Sequence, residues 1–288
     1  MGSVTVNVTG TDEGQDLQYR NINDGHESRN DYTGDTLTTG NGNDIIRVDD
    51  DVEDGKVINT GAGDDIFILG DDLDEGSLNT GSGNDTVNIH GDLGDYSGEV
   101  GHINTGDGDD TIEVGKIKVD STIDTGAGDD SVTLHDVSST FDDGSVKLGS
   151  GNDTLTIEDN LSGTNAELDG GEGLDTLVMQ GDMNIDFRGL SDNISNFETI
   201  DLGIGEQNIT SLSVDDVLTM TDDNNILRID GDTSDSINLD ISGADAEWKL
   251  GDFKTDTETG ATFQEYTSGE GDSTVSLEIS TDIEIIES

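Results

Sequence analysis

The chain has 288 residues, 67 of them Asp or Glu against 11 Lys or Arg, and its formal charge of −56 excludes nucleic acid and anionic membrane surfaces as natural partners. With 29% hydrophobic and 4% aromatic residues it lacks material for a thick core, so composition alone fits either an extended architecture with a thin core or an acidic disordered chain. Cysteine is absent, which removes disulfides and thiol chemistry, and no run of about 18 apolar residues is present to insert into a membrane.

Residues 1–30 contain VTVNVTGTDEG from Val4, whose alternation reads as one strand. That strand either opens a first coil or ends a preceding domain, and the segment is treated as an N-terminal cap.

From residue 31 to 180 a unit G-x-G-x-D recurs seven times. Its first glycines are Gly40, Gly61, Gly81, Gly106, Gly126, Gly149 and Gly171, spaced by 21, 20, 25, 20, 23 and 22 residues. Its second glycines are Gly42, Gly63, Gly83, Gly108, Gly128, Gly151 and Gly173. A repeat of this length is the signature of a solenoid, whose coils bury an apolar face only by stacking on one another.

Three apolar columns support that reading. Three places before each first glycine stand Leu37, Ile58, Leu78, Ile103, Ile123, Val146 and Leu168. Six places after it stand Ile46, Phe67, Val87, Ile112, Val132, Leu155 and Leu177, and eight places after it Val48, Leu69, Ile89, Val114, Leu134, Ile157 and Met179. The residue between the last two columns is often polar, as at Arg47, Asn88 and Glu113, which is the period-two pattern of a strand. A disordered chain has no reason to keep these columns. The expected fold is therefore all-β: a parallel β-roll or β-solenoid, each coil holding a strand after the glycine turn, a looser second turn and a short returning strand.

Four places after each first glycine comes an aspartate without exception: Asp44, Asp65, Asp85, Asp110, Asp130, Asp153 and Asp175. Coils stacked at about 4.8 Å line these carboxylates up as like charges. Neighbours at that distance repel by about 0.9 kcal/mol in bulk water and roughly 3.5 kcal/mol at an effective dielectric of 20. A hard divalent cation held by aspartate oxygens and turn carbonyls reverses the sign, and Ca²⁺ suits oxygen-only, flexible coordination better than Mg²⁺. The glycines supply the turn dihedrals that a Cβ forbids. The expected metal-binding residues are these seven aspartates and fourteen glycines, holding about six ions, one per gap between turns.

The stretches TGAGDDIFI, TGSGNDTVN and GGEGLDTLV resemble the calcium-binding nonapeptide repeats of the RTX family, G-G-x-G-x-D-x-U-x. Most units here carry Thr in the first Gly place, and each period holds one motif rather than two back to back. The resemblance thus implies calcium along one edge. On the opposite edge Asp54, Asp74, Glu75, Asp142 and Asp143 either bind further cations or, the favoured reading, are solvated turn residues.

Residues 181–288 lose the glycine turns. SVDDVL from Ser213 places Ser three before Asp216, a helix-capping pattern, while ILRID and SINLD read as strands, so a metal-poor β continuation or cap is expected. NFETIDL, DDVLTMT and IDGDTSDSINLD are similar to the C-terminal ends of large RTX adhesins exported by type I secretion. The resemblance implies an uncleaved secretion signal in the terminal STVSLEISTDIEIIES; from composition alone the same segment reads equally as an acidic edge strand.

Searches for H-E-x-x-H, G-x-S-x-G and a phosphate loop find nothing, and His26, His90, His102 and His135 are scattered. The leading expectation is a non-catalytic, monomeric module that folds with calcium outside the cell after export by the type I secretion machinery, at the end of a surface adhesin. Two rivals stay open: the tail of a secreted protease or lipase, and an ice-binding solenoid presenting the aligned Thr39, Thr60, Thr80, Thr105 and Thr125.

Overall fold

The computed structural model of the chain describes residues 5–7, 16–19 and 36–287, apart from 53–54, 95–97, 119, 136–143, 159–165, 189, 223, 240, 242–247, 258 and 270–273. His26, Asp54, Asp142 and Asp143 lie outside the described residues.

Each period lays down two strands with the glycine turn between them. The strands leading into the turn are Thr36–Gly40, Val57–Ala62, Ser77–Ser82, His102–Asp107, Thr122–Ala127, Ser145–Lys147 and Glu167–Asp169, and they pair in parallel within one nine-stranded sheet. Those leaving it are Ile45–Val48, Ile66–Leu69, Thr86–Ile89, Thr111–Val114, Ser131–Leu134, Thr154–Ile157 and Thr176–Met179, parallel within a thirteen-stranded sheet. Register follows the repeat: Leu37 lies beside Ile58, Ile58 beside Leu78, Phe67 beside Val87. The protein is a parallel β-solenoid.

Alternation decides which side chains meet inside. All three predicted columns are buried, none of their members more than 2% exposed, and they belong to one continuous apolar cluster. A fourth column, Val52, Leu73, Leu93 and Ile117, lines the second turns of four coils and is joined by parallel bridges. A core this thin has few layers, so each coil depends on its neighbours for burial.

Thr5–Asn7 pairs in parallel with Thr36–Thr38, and Asp16–Tyr19 with Ile45–Val48. These strands therefore join the same two sheets as the coils that follow.

Beyond residue 180 the stack continues. Thr199–Asp201, Ile226–Asp230 and Val275–Ser280 extend the thirteen-stranded sheet in parallel, and the hairpin Lys249–Thr255/Thr262–Ser268 closes it with antiparallel pairing. A third, parallel sheet joins Met183–Asp186, Gln207–Ser211, Ser236–Leu239 and Glu284–Glu287. The expected helix spans Val214–Met220 behind an N-cap at Ser213 with a complete capping box to Asp216. ILRID and SINL are strands, as their pattern implied. The terminal segment divides: Val275–Ser280 is paired on both sides, with Ile226–Asp230 and Thr262–Ser268, and so is no edge strand, while the acidic Glu284–Glu287 is the edge strand of the third sheet. Among the described residues no helix is long and apolar enough to cross a membrane.

Candidate metal centre

The glycine turn is shaped by how closely coils approach. Gly61 and Gly63 have φ of 111° and 125°, in the region that L side chains avoid, and the same holds for the paired glycines of every later unit. A Cβ on Gly61 would stand 1.9 Å from the Gly40 carbonyl oxygen, and one on Gly83 2.2 Å from that of Gly63. Glycine is thus required twice over, by dihedral and by contact. Backbone bonds stitch the turns together, as from Gly63 N–H to the Ser82 carbonyl (2.8 Å) and from Gly83 N–H to that of Asp107 (2.8 Å).

The aspartate after each turn points inward, and all seven are buried, at most 2% exposed. They form a ladder. Each backbone N–H donates to Oδ1 of the aspartate one coil on: Asp44 to Asp65, Asp65 to Asp85, Asp85 to Asp110 (each 2.7 Å), Asp110 to Asp130 (2.8 Å), Asp130 to Asp153 (2.7 Å) and Asp153 to Asp175 (2.8 Å). One oxygen per carboxylate is satisfied in this way. The other is not: Oδ2 of Asp65, Asp85, Asp110, Asp130, Asp153 and Asp175 is buried with no hydrogen-bond partner in the protein.

Threonine does not fill the gap. Thr60, Thr80, Thr105 and Thr125 lie beside the carboxyls of Asp65, Asp85, Asp110 and Asp130 and pull them down. Yet each hydroxyl has one proton, and donates it to the carbonyl of the next coil, at Thr80, Thr105, Thr125 and Leu148. Burial therefore dominates, with neighbouring carboxylates adding to it: Asp85, Asp110 and Asp175 are pushed from the ordinary 3.8 to about 6, and Asp153 to about 7. Asp65 and Asp130 move the same way.

Two features escaped the sequence reading. The residue before each ladder aspartate builds a second, exposed ladder of opposite direction: Asp64 N–H donates to Asn43, Asn84 to Asp64, Asp109 to Asn84, Asp129 to Asp109, and Asn152 to Asp129. Its signal was the Asn or Asp three places after the first glycine in six of the seven units. The threonine column, by contrast, is buried, each member at most 2% exposed, so it offers no surface to ice and that rival loses its residues.

On the opposite edge Asp50, Asp51 and Asp71 bring carboxylate oxygens within 4.8 Å of one another. Asp51 and Asp72 accept backbone bonds from Asp72 and Asp92, and Lys118 forms an ion pair with Asp92 at 2.7 Å. Glu75 is an exposed turn residue at φ 43°, and Asp74 is half-buried. His90, His102 and His135 are exposed on different coils, the last two bonded to Thr122 and Glu158.

A carboxylate ladder of this kind fits a cation with oxygen ligands: the available ligands are carboxylates and backbone carbonyls, and the spare Oδ2 atoms recur from Asp65 to Asp175. The fold and the ladder define the molecule as a carboxylate-lined parallel β-solenoid. Compared with family models, curated proteins and solved structures, the chain matches none of them.

Proposed function

We propose that the protein is a calcium-dependent folding and secretion module, the C-terminal part of a large exported RTX adhesin, without catalytic activity. The observation that supports this most is the column of six buried Oδ2 atoms without a protein partner, in a chain of formal charge −56. An unmade bond at a buried polar group costs about 1–3 kcal/mol and more at a charged one, so the ladder by itself works against the fold. Ca²⁺ would supply positive charge there, held by Asp44, Asp65, Asp85, Asp110, Asp130, Asp153 and Asp175 with carbonyls of the glycine turns.

In this reading the calcium-poor cytosol keeps the chain unfolded and exportable, and extracellular calcium folds it. Extracellular calcium modules bind at about 0.1 to 1 mM, which suits that step. The likeness of NFETIDL, DDVLTMT and IDGDTSDSINLD to adhesin C-termini supports the parent assignment. Circular dichroism with calcium and then with excess EDTA tests the switch. The β signal is expected to collapse on chelation and return with calcium; an unchanged spectrum rejects the proposal.

A further inference from the structure

The ladder does not stop at the seventh aspartate. Thr176 pairs with Thr199 and Leu177 with Ile200, so Glu198 occupies the place that Asp175 holds one coil earlier. The Asp175 N–H donates to Glu198 Oε2 at 3.0 Å, the same bond that links each aspartate to the next. Asn196 stands where the second glycine of the turn would be, and it too has positive φ, 57°. One coil further Thr199 pairs with Arg228, which puts Leu227 beside Glu198 and ends the acidic column.

The eighth turn is also shorter. Asp169 pairs with Ser195, after which the chain takes six residues to reach Asp175 but only three to reach Glu198. Glutamate's extra methylene compensates for part of that shortening. Among the described residues no further coil pairs with Glu172, which is bridged to Ser150 on its other side, and a cleft of about 540 Å³ lies over the loop Gly171–Gly173, lined by Glu172, Asn196, Thr221 and Asp222. Asp175 is fully buried and its Oδ2 has no hydrogen-bond partner. Oε1 of Glu198 meets the Asp222 N–H only at 3.4 Å, at the limit of a hydrogen bond.

We infer that the gap between Asp175 and Glu198 is a seventh cation position, a terminal calcium site with Glu198 as the carboxylate from the cap. This rests on the calcium reading of the ladder and goes beyond it by adding a ligand outside the G-x-G-x-D repeat. Because its last turn is three residues shorter, the site offers fewer turn carbonyls than the internal gaps, which have a full glycine turn on both sides, and keeps coordination positions for water. It also ties the cap to the repeats through a shared ion.

Isothermal titration calorimetry of the wild-type chain and Glu198→Gln, with circular dichroism on both, tests it. Seven ions in the wild type and six in the variant, with the β spectrum kept, are expected. Six ions in both overturn the seventh site while leaving the calcium reading intact, and none in either overturns that reading itself. If Glu198→Gln fails to fold, the calcium-soaked crystal of the wild type decides: anomalous density between Asp175 and Glu198 supports the site, and its absence there with density in the other gaps rejects it.

Discussion

The repeats and the C-terminal region both bury aspartate, but they treat it differently. In the cap Asp235 is 1% exposed, and both its oxygens are served by the protein, Oδ1 by the Gln207 N–H at 3.0 Å and Oδ2 by the Asp232 N–H at 2.7 Å. Asp230, also raised by burial, is pulled back by Arg228, whose guanidinium bonds Asp256 and Glu278 and lies 4.5 Å from the Phe263 ring centroid. In the repeats each ladder aspartate from Asp65 on receives one backbone bond and keeps one buried oxygen over. The protein thus satisfies both oxygens of Asp235 in the cap, while it satisfies one oxygen of each of these repeat aspartates.

Apolar packing separates the two regions in the same direction. Phe187, Phe197, Trp248, Phe263 and Tyr266 are buried beyond residue 180, whereas the repeats contain Phe67 as their buried aromatic among the described residues. Aromatic side chains bring large buried areas, so the cap builds its part of the one continuous core from bulkier groups while the repeats add small layers coil by coil.

The sharpest way to break this comparison is pH in the absence of calcium. A carboxyl whose folded pKa is raised stabilises the fold while protonated, and that contribution is lost as pH climbs through the folded value. Moving Asp85, Asp110 or Asp175 from 3.8 to about 6 corresponds to about 3 kcal/mol lost on ionisation, and Asp153, at about 7, to more. As pH falls from 8 to 4 the calcium-free chain is therefore expected to gain β structure by circular dichroism, the gain beginning near pH 7 and growing down to about 4. Trp248, the single tryptophan and 1% exposed in the cap, is expected to change its emission much less over that range. Calcium should abolish the pH dependence of the repeats. Equal responses of both probes would mean that the regions do not differ in how they carry buried charge.

Packing offers the next largest effect. Phe67 is fully buried in the second coil, and Phe67→Ala is expected to cost about 3–5 kcal/mol in calcium-loaded chemical denaturation. Phe253 in the hairpin is 68% exposed, so Phe253→Ala should stay within about 0.5 kcal/mol. A small effect at Phe67 would show that the coils relax around a cavity instead of relying on close stacking.

How much of this was readable in advance follows from where the physics is periodic. The three apolar columns, the glycine turns and the aspartate column repeat at fixed offsets, so local alternation was enough to place them inside. The burial of Thr60 and its neighbours was not readable, because a threonine one place before the turn serves an exposed strand or an inward hydroxyl bond equally well. Glu198 was hidden by its own irregularity: NFET matches GLDT only once the strand register is known, since the turn before it has lost three residues. The order of strands in the cap, where Val275–Ser280 enters the sheet between two partners distant in sequence, comes from long-range pairing that no repeat announces.

The helix gives the smallest expected effect and the cleanest separation of the two regions. Ser213 caps Val214–Met220: its Oγ accepts the Asp216 N–H at 3.2 Å, while the Asp216 carboxylate accepts the Ser213 N–H at 2.7 Å. Losing such a cap costs about 0.5–2 kcal/mol. The helix packs against Val275–Ser280, in the last parallel rung of the cap, and carries no ladder residue. Ser213→Ala should therefore lower the denaturation midpoint seen by Trp248 emission while leaving the calcium midpoint of the circular dichroism signal unchanged. If the calcium midpoint moved as well, cap and repeats would fold as one cooperative unit, and the ion shared at Glu198 would be the first contact to examine for that coupling.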